Sequence, residues 1–264
     1  MPPAFATRQF RSLRVRLPQP WSRNLGRLAY LPQLLKGDPS TRREFAEEPL
    51  IERLVHGREP LEAVGLGLTE RVVEIPWALR SLPDAAGTRV LDIGTAFAPM
   101  VYKRLLVRQS QAVEVADLAD ADIVGLPSHV ADVRNLPFAD DAFDVAICVS
   151  TLEHVGMDNT NYNVASGGGG DADALRELGR VAPTVLVTVP SGADADMGWQ
   201  RQYAPSTFRR VVDQAGLTVA RLEVFAHDPT SGWGPAHEDT IGDLSYGERT
   251  VAAAAITCAE LKRR

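Results

Sequence analysis

Arg89-Val-Leu-Asp-Ile-Gly94-Thr-Ala-Phe-Ala98-Pro99 reads as a short buried strand, Val90 to Ile93, that runs into a tight turn at Gly94 and then into a helix opened by Pro99. Small side chains in such a loop let backbone N–H groups approach a ligand, and proline suits the first helical turn. A strand, a small-residue loop and a helix start together form a nucleotide cradle. Upstream, Ser81 to Gly87, with Pro83, Asp84 and Gly87, is a turn signal that sets a boundary. Downstream, short apolar strands alternate with helical segments, the mark of a doubly wound α/β sheet. The expected strands are Val90–Ile93, Ala112–Ala116, His129–Ala131, Phe143–Val149, Thr184–Val189, Thr218–Val224 and Val251–Glu260. The expected helices run near Met100–Arg108, Asp171–Val181 and Pro205–Ala215.

Three units follow: a basic irregular arm over 1–40, a helical cap over 41–83 and the cradle-bearing domain over 84–264. Prolines 18, 20 and 32 break the arm into short pieces. In the cap, Phe45, Leu50, Leu54 and Val55 have helical spacing, as do Val72, Val73, Ile75, Trp77, Ala78 and Leu79, with Pro76 expected to kink or split the second run. As a lid over the cradle, this second segment would turn Glu74 and Trp77 toward the ligand; as a packing helix, it would place Trp77 in the core. The patch Asn159 to Gly170 is too glycine-rich for a helix and suits a loop beside a site. The stretch holding His227, Trp233 and His237 reads as a long polar loop.

The net charge of −6 hides an asymmetry, because residues 1–45 carry nine basic residues against two acidic ones. A basic arm before an acidic body packs on that body or remains solvated, and it leaves room for peripheral contact with an anionic membrane or a lipid-phosphate-linked partner. No helix-turn-helix, zinc finger or aromatic RNA-binding motif accompanies it, which argues against nucleic acid. The N-terminus has no secretory apolar block and no run approaches a membrane span, so the expected location is cytoplasmic. Cys148 and Cys258 lie in apolar runs without metal-ligand spacing, as buried reduced thiols do. No metal site is expected; the spacing of Glu153, His154 and Asp158 is not diagnostic of one.

In an open parallel sheet, ligands bind outside the carboxyl ends of the strands. Those ends carry Asp92 with Gly94, then Asp117, then Asp132, then Ser150 to His154. A carboxylate closing the second strand can accept from both hydroxyls of a ribose, which suits Asp117, with Asp120 and Asp122 as alternatives. Asp132 can accept from an exocyclic adenine amine while the next backbone N–H meets a ring nitrogen.

Val90-Leu-Asp-Ile-Gly94, Asp117, Asp132 with Leu136-Pro-Phe138, and the run Phe143-Asp-Val-Ala-Ile-Cys-Val-Ser-Thr-Leu-Glu153-His-Val155 resemble the class I S-adenosylmethionine-dependent methyltransferases. The likeness covers roughly residues 86–262 and is most specific from Asp132 to Gly156. It implies a Rossmann-like, seven-stranded α/β sheet with an antiparallel last strand. It further implies Asp92 and Gly94 beside the methionine part of the cofactor, Asp117 on the ribose, Asp132 and Val133 on adenine, Ser150 near the sulfonium end, and Glu74 to Trp77 in a cap. In one respect the chain departs from the family: Ala96 and Ala98 replace two glycines usual in its first loop. Alanine disfavours positive φ, so the substitution is harmless only if the loop stays at negative φ. A non-catalytic scaffold with a weakened cofactor loop is the alternative expectation. The pattern Gly-x-Gly-x-x-Gly also fails here, which argues against a nicotinamide enzyme.

Methyl transfer is an in-line displacement from an activated donor, so the protein must align the acceptor, exclude water and, for a hydroxyl, take a proton. His154 is the candidate general base, since histidine titrates near neutrality. Asp158, Tyr162, Trp199 and Tyr203 are candidates for the acceptor pocket. The expected acceptor is a small molecule or a glycan, methylated at oxygen rather than nitrogen.

Overall fold

The computed structural model describes residues 39–264 except 58, 110, 122, 124, 160, 161, 163–169 and 251. The basic arm up to residue 38, Asp122 and most of the glycine-rich patch therefore lie outside the described residues. Two helices come first, α1 (Pro39–His56) and α2 (Arg71–Arg80), followed by β1 (Arg89–Ile93), α3 (Met100–Val107), β2 (Ala112–Asp117), β3 (Ser128–Val130) and β4 (Val145–Val149). After a short 3-10 turn at Leu152–His154 come α4 (Asp171–Val181), β5 (Thr184–Ser191), a small hairpin of β6 (Ala195–Asp196) and β7 (Arg201–Gln202), α5 (Pro205–Gln214), β8 (Leu217–Asp228), β9 (Gly232–Ala236) and β10 (Ala255–Arg263).

The main sheet has the order β3-β2-β1-β4-β5-β10-β8-β9. Strands β1 to β5 pair in parallel, while β10 runs antiparallel between β5 and β8. This is the expected Rossmann-like architecture with an antiparallel member, but with eight strands instead of seven. The extra strand is β9, paired antiparallel with β8 through Trp233 opposite His227. Its sequence, Gly232-Trp-Gly-Pro-Ala236, contains residues that weaken an internal strand, yet an edge strand tolerates them. The expected polar loop around His227 is thus a hairpin: His227 is buried on β8, where its Nε2 accepts from the Gly67 N–H, and Trp233 is fully buried with Nε1 donating to the Leu68 carbonyl. Neither residue lines the cavities described below.

Near-continuous apolar runs are what strands covered on both faces require, and period-two alternation splits them between two cores. Val90, Ile147, Leu186 and Ile256 join Leu54, Val72, Ile75 and Leu105 on the face covered by α1, α2 and α3. Leu91, Cys148, Val187 and Ala259 join Leu175, Leu178, Phe208 and Val212 on the face covered by α4 and α5. Helices α1 and α2 therefore share a core with the sheet. Eight consecutive buried residues, Val72 to Leu79, hold α2 as one helix across Pro76 rather than two pieces. Trp77 faces this core and not the ligand side: its Nε1 donates to Glu223 at 3.1 Å and the Arg221 guanidinium lies 5.1 Å from its ring. Both cysteines are buried free thiols, and burial raises the pKa of each.

Helix α1 is tied to α3 by a buried ion pair, Arg104 to Glu48 at 2.6 Å, with Glu52 at 3.6 Å. Removing one partner of such a pair leaves an uncompensated buried charge. Arg104→Ala is expected to lower unfolding free energy by about 3 kcal/mol in urea denaturation; a change under about 0.5 kcal/mol would mean that α1 is not anchored through this contact.

Candidate active site

The loop after β1 packs directly on the loop after β4. Gly94 has φ +87°, and a Cβ placed there would lie 2.1 Å from Thr151 Oγ1 and 2.8 Å from Thr151 Cγ2. Glycine is required at this position on both counts. Ala96 and Ala98 keep negative φ, so their methyl groups impose no backbone strain. The Ala96 N–H donates to Asp117 Oδ2 at 2.7 Å, which ties the loop to the carboxyl end of β2.

Asp92 is absent from the linings of the cavities described below. It is fully buried, and the hydroxyls of Thr95 and Tyr102 both donate to its carboxylate. Burial raises its pKa to about 7 against the lowering effect of those hydroxyls. Its geometry is that of a brace fixing the turn.

Three cavities adjoin along the carboxyl edge of the sheet. The largest, about 420 Å³, runs past Gly94, Phe97, Tyr102, Ser150, Asp158 and Trp199. A second of about 140 Å³ holds Asp117, Asp132 and Val133 and shares Gly94, Thr151, His154 and Tyr162 with the first. A third of about 90 Å³ lies inward, between α2 and the ends of β4 and β5, and shares Arg71, Ser150, His154 and Trp199 with the first. His154 lines all three.

Around the second cavity, the carboxylate of Asp132 is already engaged by Arg134, through Nε at 3.0 Å to Oδ1 and Nη2 at 2.6 Å to Oδ2. The guanidinium holds that carboxyl below its ordinary pKa. An adenine amine would therefore share this acceptor with Arg134. Of the alternatives to Asp117, Asp120 is exposed and accepts from the Ser128 hydroxyl at 3.0 Å.

In the first cavity the structure brings together Ser150, His154, Asp158, Tyr162 and Trp199, all of which were expected from sequence. Tyr162 meets Phe97 edge to face, with centroids 5.1 Å apart. Ser150 has φ +42°, and its hydroxyl donates to the Glu74 carboxylate at 2.9 Å. Tyr203 does not belong to this group. It is 1% exposed, packs on Phe208 and points its hydroxyl at Asp171, so it is a core residue.

His154 sits on the 3-10 turn after β4. Its Nδ1 lies 2.9 Å from the Trp199 carbonyl. A carbonyl can only accept, so Nδ1 carries the hydrogen and Nε2 keeps its lone pair. Burial lowers its pKa below the ordinary 6.5, outweighing the Trp199 carbonyl, and the nearby Arg71 cation lowers it further. The imidazole is consequently neutral at pH 7.

Arg71, Glu70, Glu153 and Tyr246 line the site and were not singled out as such from sequence. Three charged residues in Glu70-Arg-Val-Val-Glu74, just ahead of the apolar run Ile75 to Leu79, are the available signal, because charges on a buried helix face must pair internally. Tyr246 has no sequence signal; the chain returns it to the site from the connection before β10. Among the described residues no group of three His, Cys, Asp or Glu could hold a metal ion, and no helix is long and apolar enough to cross a membrane.

Residues 107–182, which span β2 to α4 and contain Asp117, Asp132, Ser150 and His154, match the family model described as a methyltransferase domain. No protein of curated function matches the chain. Among solved structures, the [4+2]-cyclase SpnF is 14% identical, with 81% of this chain and 92% of that one covered at a TM-score of 0.52. A SAM-dependent methyltransferase from Aquifex aeolicus is 15% identical over 75% of this chain and 95% of its own, with a TM-score of 0.45. A chain from the Haloferax volcanii complex with the Trm112 methyltransferase activator is 17% identical over 81% and 98%, with a TM-score of 0.49. At these identities the likeness is one of fold. Residues 107–182 are thus similar to a methyltransferase domain, and they lie within a mostly parallel Rossmann-like sheet.

Proposed function

We propose that the protein methylates a hydroxyl of a small-molecule or glycan-type acceptor, with His154 as general base. The observation that carries this is the position and state of His154: an imidazole that burial favours in its neutral form, with its unprotonated Nε2 4.0 Å from Glu153 Oε1, at the junction of all three cavities. The same fold serves a [4+2]-cyclase, so the reaction has to be argued from the site and not from the architecture.

The residues present fit S-adenosylmethionine. The cradle at Gly94 has no room for a Cβ, and the two larger cavities meet there as one elongated cleft. When bound, the cofactor supplies a methyl group already activated on a sulfonium. Asp117 would hold the ribose hydroxyls, Asp132 and Val133 the adenine, and Gly94 and Ser150 the walls around the methionine and sulfonium end. His154 Nε2 would take the acceptor's proton as its oxygen bonds to the methyl carbon. Asp158, Tyr162 and Trp199 would orient the acceptor and exclude water from it. The negative φ of Ala96 and Ala98 supports this reading over the scaffold alternative, since the substituted loop keeps an unstrained path.

Calorimetry with S-adenosylhomocysteine, followed by an acceptor screen that detects S-adenosylhomocysteine release, tests the proposal; a folded protein that binds no cofactor would sink it. Asp117→Ala is expected to weaken S-adenosylhomocysteine binding about ten- to hundredfold, the loss of hydrogen bonds to a charged group. Unchanged affinity would move the ribose elsewhere along the edge.

A further inference from the structure

Resting on the methyltransferase reading of the site, we propose that the inward chamber of about 90 Å³ seats a cationic amine group of the acceptor. Its walls include Glu70, Arg71, Glu74, Glu153, Trp199 and Tyr246. Three carboxyl groups therefore face one guanidinium. Arg71 is committed to Glu74 at 2.8 Å, and Glu74, with no exposed surface, also accepts from the Ser150 hydroxyl. Glu70 takes the Ala253 N–H at 3.3 Å, while Glu153, only 2% exposed, has an Oε2 without a hydrogen-bond partner. An orphaned buried carboxyl oxygen on a cavity wall costs free energy until a donor meets it.

Two of the walls are aromatic. Trp199 and Tyr246 meet edge to face at 85° with centroids 6.0 Å apart. Carboxyl groups on one side and aromatic rings on the other are the surroundings that favour an alkylammonium over a neutral group of equal size. The chamber opens to the main cavity beside His154 and Ser150, so an acceptor anchored there by its amine would present its remaining atoms to the methyl-transfer position. The titratable and charged groups around the chamber are Glu70, Arg71 and Glu74 from the start of α2, Glu153 and His154 from the turn after β4, and Tyr246 from the connection before β10, while Pro190, Trp199 and Gln200 add none. Burial, with Glu74 nearby, raises Glu153 to about 8, and burial raises Glu70 to about 7. An entering cation lowers both, so its binding at pH 7 releases protons, and affinity climbs as pH rises toward 8.

The test uses the full chain saturated with S-adenosylhomocysteine and three probes of one shape: benzylammonium, benzyl alcohol and benzoate. Benzylammonium is expected to bind about tenfold or more tightly than benzyl alcohol, benzoate least, with a calorimetric heat at pH 7 that depends on the buffer's ionisation enthalpy. Glu153→Gln and Glu70→Gln, each checked for folding by circular dichroism, are expected to reduce that preference to within about threefold. Equal affinities for amine and alcohol, including no binding of either, would overturn the proposal. So would a preference for benzoate, or an amine preference retained in both folded variants. Cofactor binding is read separately, and the probe series is repeated without S-adenosylhomocysteine. A chain that prefers the amine but binds no cofactor would refute the methyltransferase reading and leave the chamber's charge preference standing.

Discussion

His154→Ala is expected to reduce turnover by about two to four orders of magnitude, the usual contribution of a positioned general base, with S-adenosylhomocysteine affinity held within about threefold. The asymmetry follows from where the side chain sits. Its Nδ1 is held by the Trp199 carbonyl and its Nε2, 4.0 Å from Glu153 Oε1, lies at the meeting point of the cavities, whereas the loop that shapes the cradle is fixed by Gly94, Ala96 and Asp117. Removing the imidazole therefore takes away a proton acceptor and spares the cradle. With wild-type protein, turnover should rise with pH through a transition below 6.5, because burial and Arg71 disfavour the imidazolium, and then level off. The variant should lose that transition. Parallel loss of turnover and cofactor affinity, or an unaltered pH profile in the variant, would make His154 a structural residue of the turn.

Gly94→Ala is expected to abolish measurable S-adenosylhomocysteine binding and to lower thermal stability together. An L residue at φ +87° costs about 1–2 kcal/mol on its own. The added methyl also meets Thr151 Oγ1 at 2.1 Å, a distance no packing tolerates, so the loop after β1 must separate from the loop after β4. That separation opens the floor of the cleft on which both larger cavities depend. The double variant Gly94→Ala with Thr151→Ala should recover part of the stability, since the nearest clash is with the Thr151 side chain, while the φ strain persists. Cofactor affinity unchanged in Gly94→Ala would show that the cradle is not where the cofactor lies.

The sequence by itself determined the strand order's raw material and the identity of the edge. Runs such as Val90–Ile93 and Val145–Val149 are apolar throughout because both faces of a parallel strand are covered, and this pattern is local. Strand ends are local too, so Gly94, Asp117, Ser150 and His154 stand out along the edge from the order of residues alone. What the tertiary structure decided were partners. Asp92 and Tyr203 carry polar groups at plausible places in the chain, yet Thr95, Tyr102 and Asp171 occupy those groups, and Asp132 is held by its own Arg134. Trp77 and Trp233 have aromatic rings that could serve a ligand, but the register of α2 and the pairing of β9 turn both into the core. The inward chamber was invisible for the same reason. Its walls come from segments far apart in the chain, and whether Glu70, Glu74 and Glu153 are solvated charges or buried neighbours depends on burial, which is a property of the packed molecule and not of any stretch of chain.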